Sequence, residues 1–158
     1  MMVYKMYIVL YSPSSVQKIT DFLKTVYTVN HIVPVIVKPL GAAAQIGIPE
    51  AHRIAYKLNK PIIVLPEIRD LTEILKCEEI YYMDEHGEIL DLKHVFEKDE
   101  KAAFVISAGD LEPSKKELEN LKKIWPNNVP KGIPATALTG ILIYLYLNNL
   151  KSTNTRKH

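Results

Sequence analysis

The chain has 158 residues, a formal net charge of +2 and a hydrophobic fraction of 47%. A chain of this length fits one domain and can bury about two-thirds of its unfolded surface in a single core. The charge falls short of the strongly basic balance of a dedicated nucleic-acid binder, so RNA is permitted but not indicated. Cys77 is the only cysteine, which excludes an intramolecular disulfide and a thiolate zinc cluster.

Neither a signal peptide nor a membrane span is predicted. The N-terminus leads directly into a strand pattern, without the cationic flank and long apolar run of a signal peptide. The apolar stretch from Ile141 to Leu147 is too short to cross a bilayer. We therefore expect a cytoplasmic protein without membrane contact.

Strand and helix patterns alternate from the N-terminus. Met6 to Tyr11 predicts a strand, and Ser12-Pro13-Ser14-Ser15 predicts the cap of a helix over residues 16–26. Ile32 to Val37 predicts a second strand. Its Pro34 has no N–H to donate, so this strand should lie at an edge or carry a bulge.

The middle of the chain continues the alternation. A small-residue loop over 39–47 leads to a helix that begins near Pro49. Pro61 to Leu65 is a continuous apolar run, as expected for a central parallel strand. A short helix should follow, and then a strand from Glu79 to Asp84. Glu85-His86-Gly87 predicts a turn into a small hairpin through residues 89–92.

The last third predicts a strand, two helices and a tail. Ala102 to Ser107 is the strand, and Ser114-Lys115-Lys116-Glu117 has the form of a capping box, followed by an apolar helical face through Trp125. A terminal apolar helix should end at Asn149, before a flexible basic tail over 150–158. The whole pattern predicts one three-layer α/β domain over residues 1–149 with a mainly parallel sheet.

Two loops of this last third can expose backbone N–H groups to one ligand. The first is the turn after the strand, where Gly109 lacks a Cβ and permits close approach or a positive φ. The second runs from Val129 to Pro134 into the terminal helix. A simple turn glycine is the alternative interpretation of Gly109.

Three stretches here resemble the closing segment of the SPOUT, or α/β-knot, methyltransferases. They are Ile106 to Asp110 with Ser114, then Val129-Pro130-Lys131, and then Pro134 to Leu138 with the aromatic end of the helix at Tyr144 and Tyr146. The resemblance implies a C-terminal trefoil knot, S-adenosylmethionine as cofactor, a homodimer and possible RNA methylation. The cofactor walls that it implies are Met83, Ile106, Ser107, Gly109, Val129, Pro130, Thr136, Ala137 and Leu138.

The chain also departs from the RNA ribose methyltransferases of that superfamily. Those enzymes usually carry an Asn near the end of the first strand, an Arg in the following helix and an Asn before the last helix. Here the first strand ends in serines, the helix has Lys18 and Lys24 but no Arg, and Thr136 stands near the second Asn position. The resemblance thus supports the cofactor pocket better than the transfer chemistry, and the catalytic residues stay unassigned.

Several polar residues are candidates for substrate contact. Gln45 is the one amide within a stretch of alanines and glycines, and His52 and Arg53 could contact phosphate. Ser14 follows the first strand, and Asp110 could orient substrate or act as a base. Alternatively, these residues lie in solvated loops and helix starts, and Asp110 complements the dipole of the following helix.

A different chemistry is possible at the predicted hairpin. Asp84, Asp91 and Lys93 resemble the acidic pair and lysine of RecB-like metal-dependent nucleases, in which two carboxylates hold Mg²⁺ and lysine positions water. A solvated hairpin is the alternative, and the histidines show no zinc spacing, so no metal site is assigned. A third class is a noncatalytic RNA-binding or ligand-binding protein of the same fold.

Overall fold

The computed structural model describes the backbone of residues 6–156 and the side chains of residues 6–151. The strands are β1 Met6–Tyr11, β2 Ile32–Val37, β3 Ile63–Leu65, β4 Glu79–Leu90, β5 Ala102–Ser107 and β6 Lys122–Pro126. The helices are α1 Val16–Val26, α2 Ile48–Leu58, α3 Asp70–Glu73, α4 Lys93–Phe96, α5 Lys115–Leu118 and α6 Ala135–Arg156, and a π-helical turn, Ala43–Gly47, runs directly into α2.

The six strands form one parallel sheet in the order β3-β2-β1-β5-β4-β6. This confirms the predicted α/β class with a parallel sheet. The chain moves outward from β1 to β3 and then crosses to the other side, so the strand order reverses between β1 and β5. In open parallel sheets, ligands bind beside such a reversal, at the edge where the strands end. We call this the carboxyl edge of the sheet.

Alternate residues of the central strand serve two different cores. Met6, Ile8 and Leu10 belong to a cluster that also contains buried residues of α1, α2, α4 and α6. The other face belongs to a second cluster, which is covered by residues around α3 and α5. The sheet is therefore the middle of three layers, as predicted. The predicted trefoil knot concerns chain threading rather than sheet order, and it stays a prediction.

The outer strands on the β3 side differ from expectation. β3 lies at the edge of the sheet, so the predicted central position is wrong. β2 lies between β1 and β3, which contradicts an edge position for the strand that carries Pro34. β3 pairs only with Val35–Val37 of β2, so no β3 residue pairs opposite Pro34. The proline is tolerated because its neighbour strand is short.

The predicted hairpin after Asp84 is also wrong. β4 continues as one strand through Leu90, and its pairing with Ile124 of β6 shifts from Met83 to Glu88 across a bulge. Gly87 lies within this bulge, where an added Cβ would be 2.6 Å from the backbone carbon of Lys123. Only glycine permits that approach of the two backbones.

The segment after α5 was expected to continue as a helix, and it does not. The capping box at Ser114 and Glu117 is confirmed, but α5 ends at Leu118 and Lys122–Pro126 forms β6. Trp125 precedes Pro126, and a following proline disfavours the α conformation of the residue before it. β4 also offers an edge with which this segment can pair as a strand. At the C-terminus, α6 extends past Asn149 through Arg156, and residues 157–158 of the predicted tail lie outside the described part of the chain.

Candidate functional site

A strained serine lies where β1 reaches the carboxyl edge. Ser12 has a left-handed backbone, with φ of 52°, and is fully buried. Its backbone N donates to the Val37 carbonyl at 2.7 Å, but its hydroxyl has no hydrogen-bond partner. Strained backbone and unpaired buried polar atoms persist where the surrounding structure imposes them, often at functional sites.

Asp110, in the loop after β5, joins that loop to α1 and to the loop after β1. Lys18 Nζ donates to the Ala108 carbonyl at 2.9 Å and to Asp110 Oδ1 at 3.1 Å. The Ser14 backbone N donates to Asp110 Oδ2 at 3.3 Å. Hydrogen bonds from Ser14 and Lys18 lower the pKa of Asp110 below its usual value. The structure thus brings the substrate candidates Ser14 and Asp110 together.

The Gly109 turn is open on its solvent side. Gly109 has φ of 92°, and a Cβ built on it would find no atom within 4 Å. Its N–H donates to Ser107 Oγ at 3.2 Å, while the Ala108 N–H is bound to the Tyr11 carbonyl. A ligand can therefore approach the main chain of this turn without displacing a side chain.

The loop before α6 is anchored at two points. Trp125 Nε1 donates to the Val129 carbonyl at 2.9 Å, and the Gly132 N–H donates to the Glu85 carboxylate from the β4 bulge. Gly132, like Gly109, has a positive φ and open space beside it. The sequence interpretation assigned Glu85 to a turn and missed this role. The sequence signal for this contact was weak, because it consisted of an acidic residue beside a glycine that interrupts a strand pattern.

The predicted cofactor walls divide by burial. Met83, Ile106 and Leu138 are buried in one cluster, and Val129 packs against it half-buried. Ser107 and Thr136 are half-buried, whereas Gly109, Pro130 and Ala137 are exposed. The residue–proline pair that closes β6 is Trp125–Pro126, so Val129 and Pro130 lie within the loop. Three of the predicted walls are thus core residues, whereas the exposed ones lie in the Gly109 turn, the loop before α6 and the first turn of α6.

Two threonines lie in the first turns of α6. The fully buried Thr139 donates its hydroxyl to the Ala135 carbonyl at 2.8 Å. Thr136 is half-buried at the second position of the helix. Its role as a cofactor wall stays a prediction.

Two tyrosines lie under the β5 turn on the other face of the sheet. The Tyr11 hydroxyl donates to Glu117 Oε2 at 2.8 Å, which ties the α5 cap to β1. Burial raises the pKa of Tyr11 above its usual value and that of Tyr82 to about 12. Both phenols are therefore protonated at neutral pH, and they support the turn rather than offer a base.

An open groove of about 590 Å³ contains other substrate candidates. It lies between α1, the π-helical turn and α2, and Gln17, Gln45 and Arg53 line it. Arg53 Nε donates to Glu50 Oε2 at 2.9 Å, so its guanidinium is paired with a carboxylate of the same helix. His52 is exposed on α2 and is not among the residues that line the groove. A π-helical turn inside or beside an α-helix often marks a functional position.

The nuclease candidates are engaged in local turns. Asp84 Oδ1 accepts from the His86 N–H at 2.9 Å, and Asp91 Oδ1 accepts from the Lys93 N–H at 3.0 Å. Within residues 6–151, no group of three or more histidine, cysteine, aspartate or glutamate side chains could hold a metal ion. The geometry gives the acidic pair no preformed metal site.

Comparison with known proteins identifies the family. The model of a family described as RecB-family nuclease (DUF2122) matches residues 41–145, which is more than half of the chain. The chain belongs to this family. The match includes the β4 bulge, the Gly109 turn and the loop before α6.

Two curated relatives carry restriction-enzyme names. A putative type II restriction enzyme of Aeropyrum pernix is 45% identical over 67 residues, which cover 42% of this chain and 43% of that protein. A putative type II restriction enzyme of Methanocaldococcus jannaschii is 32% identical over 98 residues, covering 60% of this chain and 67% of that protein. The match to the first relative thus spans less than half of its length.

Solved structures place this RecB-family chain in the SPOUT fold. The match to a probable methylase family protein from Haemophilus influenzae covers all of this chain and 70% of that protein, with a TM-score of 0.75 and 12% sequence identity. A putative RNA methyltransferase from Bacillus anthracis has a TM-score of 0.65 and 17% identity over 91% of this chain and 93% of that one. The SpoU methyltransferase AviRb from Streptomyces viridochromogenes, solved with AdoMet, has a TM-score of 0.67 and 12% identity, and the match covers 92% of this chain and 60% of that one. At these identities the likeness shows the fold alone, and it confirms the SPOUT resemblance at that level.

No described helix is both long enough and apolar enough to cross a bilayer.

Proposed function

We propose that this protein binds S-adenosylmethionine at the carboxyl edge of its sheet and methylates RNA. One observation carries the proposal: the open, left-handed Gly109 turn lies on the same edge as the anchored loop before α6, above the buried Met83, Ile106 and Leu138. The fold shared with a methyltransferase solved with AdoMet supports it.

The residues of this pocket suit the methyl donor. The adenine and the amino-acid portion would meet the exposed main chain at Gly109 and along the loop before α6, where Ser107 Oγ and the Glu85 carboxylate now hold the Gly109 and Gly132 N–H groups. Ser107, Thr136 and Ala137 border the same space. When bound, the donor supplies an electrophilic methyl group on a sulfonium that is already a good leaving group.

The acceptor lies on the α1 side of the pocket. Lys18 is held at the mouth by Ala108 and Asp110, and its side chain is 41% exposed, so it can bind a phosphate of RNA. A pair this exposed contributes only about 0–1 kcal/mol to stability, which leaves positioning as its main role. Lys18 thus stands in for the arginine that RNA ribose methyltransferases carry in this helix.

The neighbouring groove extends the acceptor site. Gln45 and the Arg53 guanidinium line it, and His52 lies exposed on the same helix. An amide and a guanidinium suit base edges and phosphates of an RNA strand that runs across α1 and α2. Ser14 and Asp110 lie where this strand would reach the donor.

The exposed apolar face of α6 suggests how the protein assembles. The outward face of α6 exposes Tyr144, Leu147 and Leu150, an apolar surface suited to a second copy. We expect a knotted, cytoplasmic homodimer, and sedimentation velocity measures its mass.

Replacing Lys18 tests the acceptor side. We expect Lys18→Met to lower methyl transfer from tritiated S-adenosylmethionine to bulk tRNA and rRNA by at least about tenfold, or about 1.4 kcal/mol, because the phosphate contact is lost. Donor affinity should change less than about twofold. Lys24→Met, an exposed lysine in the last turn of the same helix, is the matched control. Equal losses in the two variants would assign the effect to bulk charge and contradict the role of Lys18.

A nuclease is the second candidate, and the family description and the restriction-enzyme names of the relatives favour it. It would use Asp84 and Asp91 to hold Mg²⁺ and Lys93 to position water, but the described residues form no preformed cluster around an ion. Cleavage of duplex DNA that depends on Mg²⁺ and is lost in Asp91→Asn would support it.

A further inference from the structure

A second cavity lies at the opposite edge of the sheet, where the strands begin. It has a volume of about 390 Å³, within the range of small-molecule sites. Met6 and Ala102, the first residues of β1 and β5, form part of its lining, together with residues of α4 and α6. It is therefore separated from the proposed methyl-donor pocket by the length of the central strands.

Aromatic rings form the apolar side of this cavity. Phe96 lies with its ring centroid 5.7 Å from that of Phe104 and 5.7 Å from that of Tyr146, the second pair in edge-to-face geometry. All three rings line the cavity. Such a wall holds an apolar or aromatic body and attracts a cation that sits over a ring face.

The polar side carries an unpaired carboxylate oxygen. Glu100 lines the cavity, and its Oε2 is buried with no hydrogen-bond partner. Buried polar atoms, and charged ones above all, are costly to leave without a partner, so this carboxylate favours a bound hydrogen-bond donor.

The charged residues around the cavity determine which charge the ligand should carry. Among the described residues that line the cavity, Glu97 and Glu100 are acidic and Lys98 and His31 are basic. Within residues 6–151, no cluster of ligating side chains could hold a metal ion, so the carboxylates do not define a metal site. The Glu100 carboxylate beside an aromatic wall is complementary to an organic cation.

We propose that this cavity binds a small organic cation, an ammonium group on an aromatic or apolar body. The ammonium pairs with the Glu100 carboxylate, and the body packs against Phe96, Phe104 and Tyr146. The site is independent of methyl-donor binding, since it lies at the other end of the strands.

Phenethylammonium and its neutral analogue 2-phenylethanol test the charge requirement. In calorimetric titrations of the full chain, we expect saturable binding of phenethylammonium and at least about tenfold weaker binding of the alcohol. In amide NMR spectra, the signals that shift should be those of residues around Phe96, Glu100 and Tyr146. Equal affinities for the two compounds, no saturable binding of the amine, or shifts located elsewhere would overturn the proposal.

A carboxylate-to-amide exchange tests the named oxygen. Glu100→Gln should weaken phenethylammonium by about tenfold and remove the preference over 2-phenylethanol. Glu119→Gln, an exposed carboxylate beside α5, is the matched control and should leave the affinity unchanged. Thermal unfolding of both variants checks that each is folded. Equal losses in the two, or full affinity in Glu100→Gln, would overturn the assignment.

Discussion

The Gly87→Ala variant is expected to lose about 3 kcal/mol of its free energy of unfolding. An added Cβ would lie 2.6 to 2.7 Å from backbone atoms of Lys123 and Ile124, and backbone cannot rotate away as a side chain can. The variant must therefore open the β4–β6 pairing or flatten the bulge. Urea unfolding, monitored by far-ultraviolet circular dichroism, measures the loss as a shift of the midpoint.

Gly140→Ala is the matched control for this variant. Gly140 lies within α6, and an added Cβ there meets no atom within 4 Å. Alanine in a helix interior should stabilise the protein by about 0.5–1 kcal/mol. The explanation is contradicted if Gly87→Ala unfolds at the same urea concentration as the parent, or if Gly140→Ala loses as much stability as Gly87→Ala.

The same bulge connects stability to the proposed pocket. Glu85 follows Asp84 in the bulge and accepts the N–H of Gly132, so disruption of β4 there releases the loop before α6. We expect Gly87→Ala to weaken S-adenosylmethionine as well, whereas Gly140→Ala leaves the affinity unchanged.

The Gly109→Val variant is expected to weaken S-adenosylmethionine by at least about tenfold, or about 1.4 kcal/mol. Gly109 has φ of 92°, a conformation that a β-branched residue strongly disfavours, and the space beside it is where the ligand would lie. Valine therefore both strains the turn and covers the main chain that the donor contacts. Calorimetric titration at a temperature where both proteins are folded measures the affinity.

Gly41→Val separates strain from ligand exclusion. Gly41 also has a positive φ, 51°, with no atom within 4 Å of an added Cβ, but it precedes the π-helical turn and lies outside the proposed pocket. Both variants should lose about 1–3 kcal/mol of stability from backbone strain. Only Gly109→Val should lose donor affinity. A folded Gly109→Val protein with parental affinity would remove this turn from the site.

Local patterns were sufficient to predict the class of fold. Period-2 and continuous apolar runs predicted β1, β2 and β5, and the Ser114 capping box marked the start of α5, because these signals depend on residues a few positions apart. The parallel sheet followed from the alternation of strands with helices. The SPOUT likeness in the last third, carried by a few loop residues, is confirmed at the level of fold.

Features that depend on distant partners were not predictable. β6 forms because β4 offers a pairing edge, so a window around Trp125 shows only an apolar face that fits a helix equally well. The bulge at Gly87 requires the backbone of Lys123, which lies far along the chain. The contacts of Glu85 with Gly132 and of Lys18 with Asp110 join residues 47 and 92 positions apart. No spacing rule connects such pairs.

The family is described by a nuclease activity, whereas our proposal is methyl transfer. A two-metal or one-metal nuclease needs carboxylates that converge on an ion, and here Asp84 and Asp91 accept hydrogen bonds from N–H groups two residues ahead. The carboxyl edge instead presents open main chain at Gly109, an anchored loop and a lysine held at the mouth. These features are the ones on which we base the proposed S-adenosylmethionine site.

Calorimetric titration of the full chain with S-adenosylmethionine in the presence of EDTA tests the central claim most directly. We predict saturable binding that needs no metal and is unchanged in Asp91→Asn. The contradicting result is the absence of binding heat with S-adenosylmethionine, together with Mg²⁺-dependent cleavage of duplex DNA that Asp91→Asn abolishes.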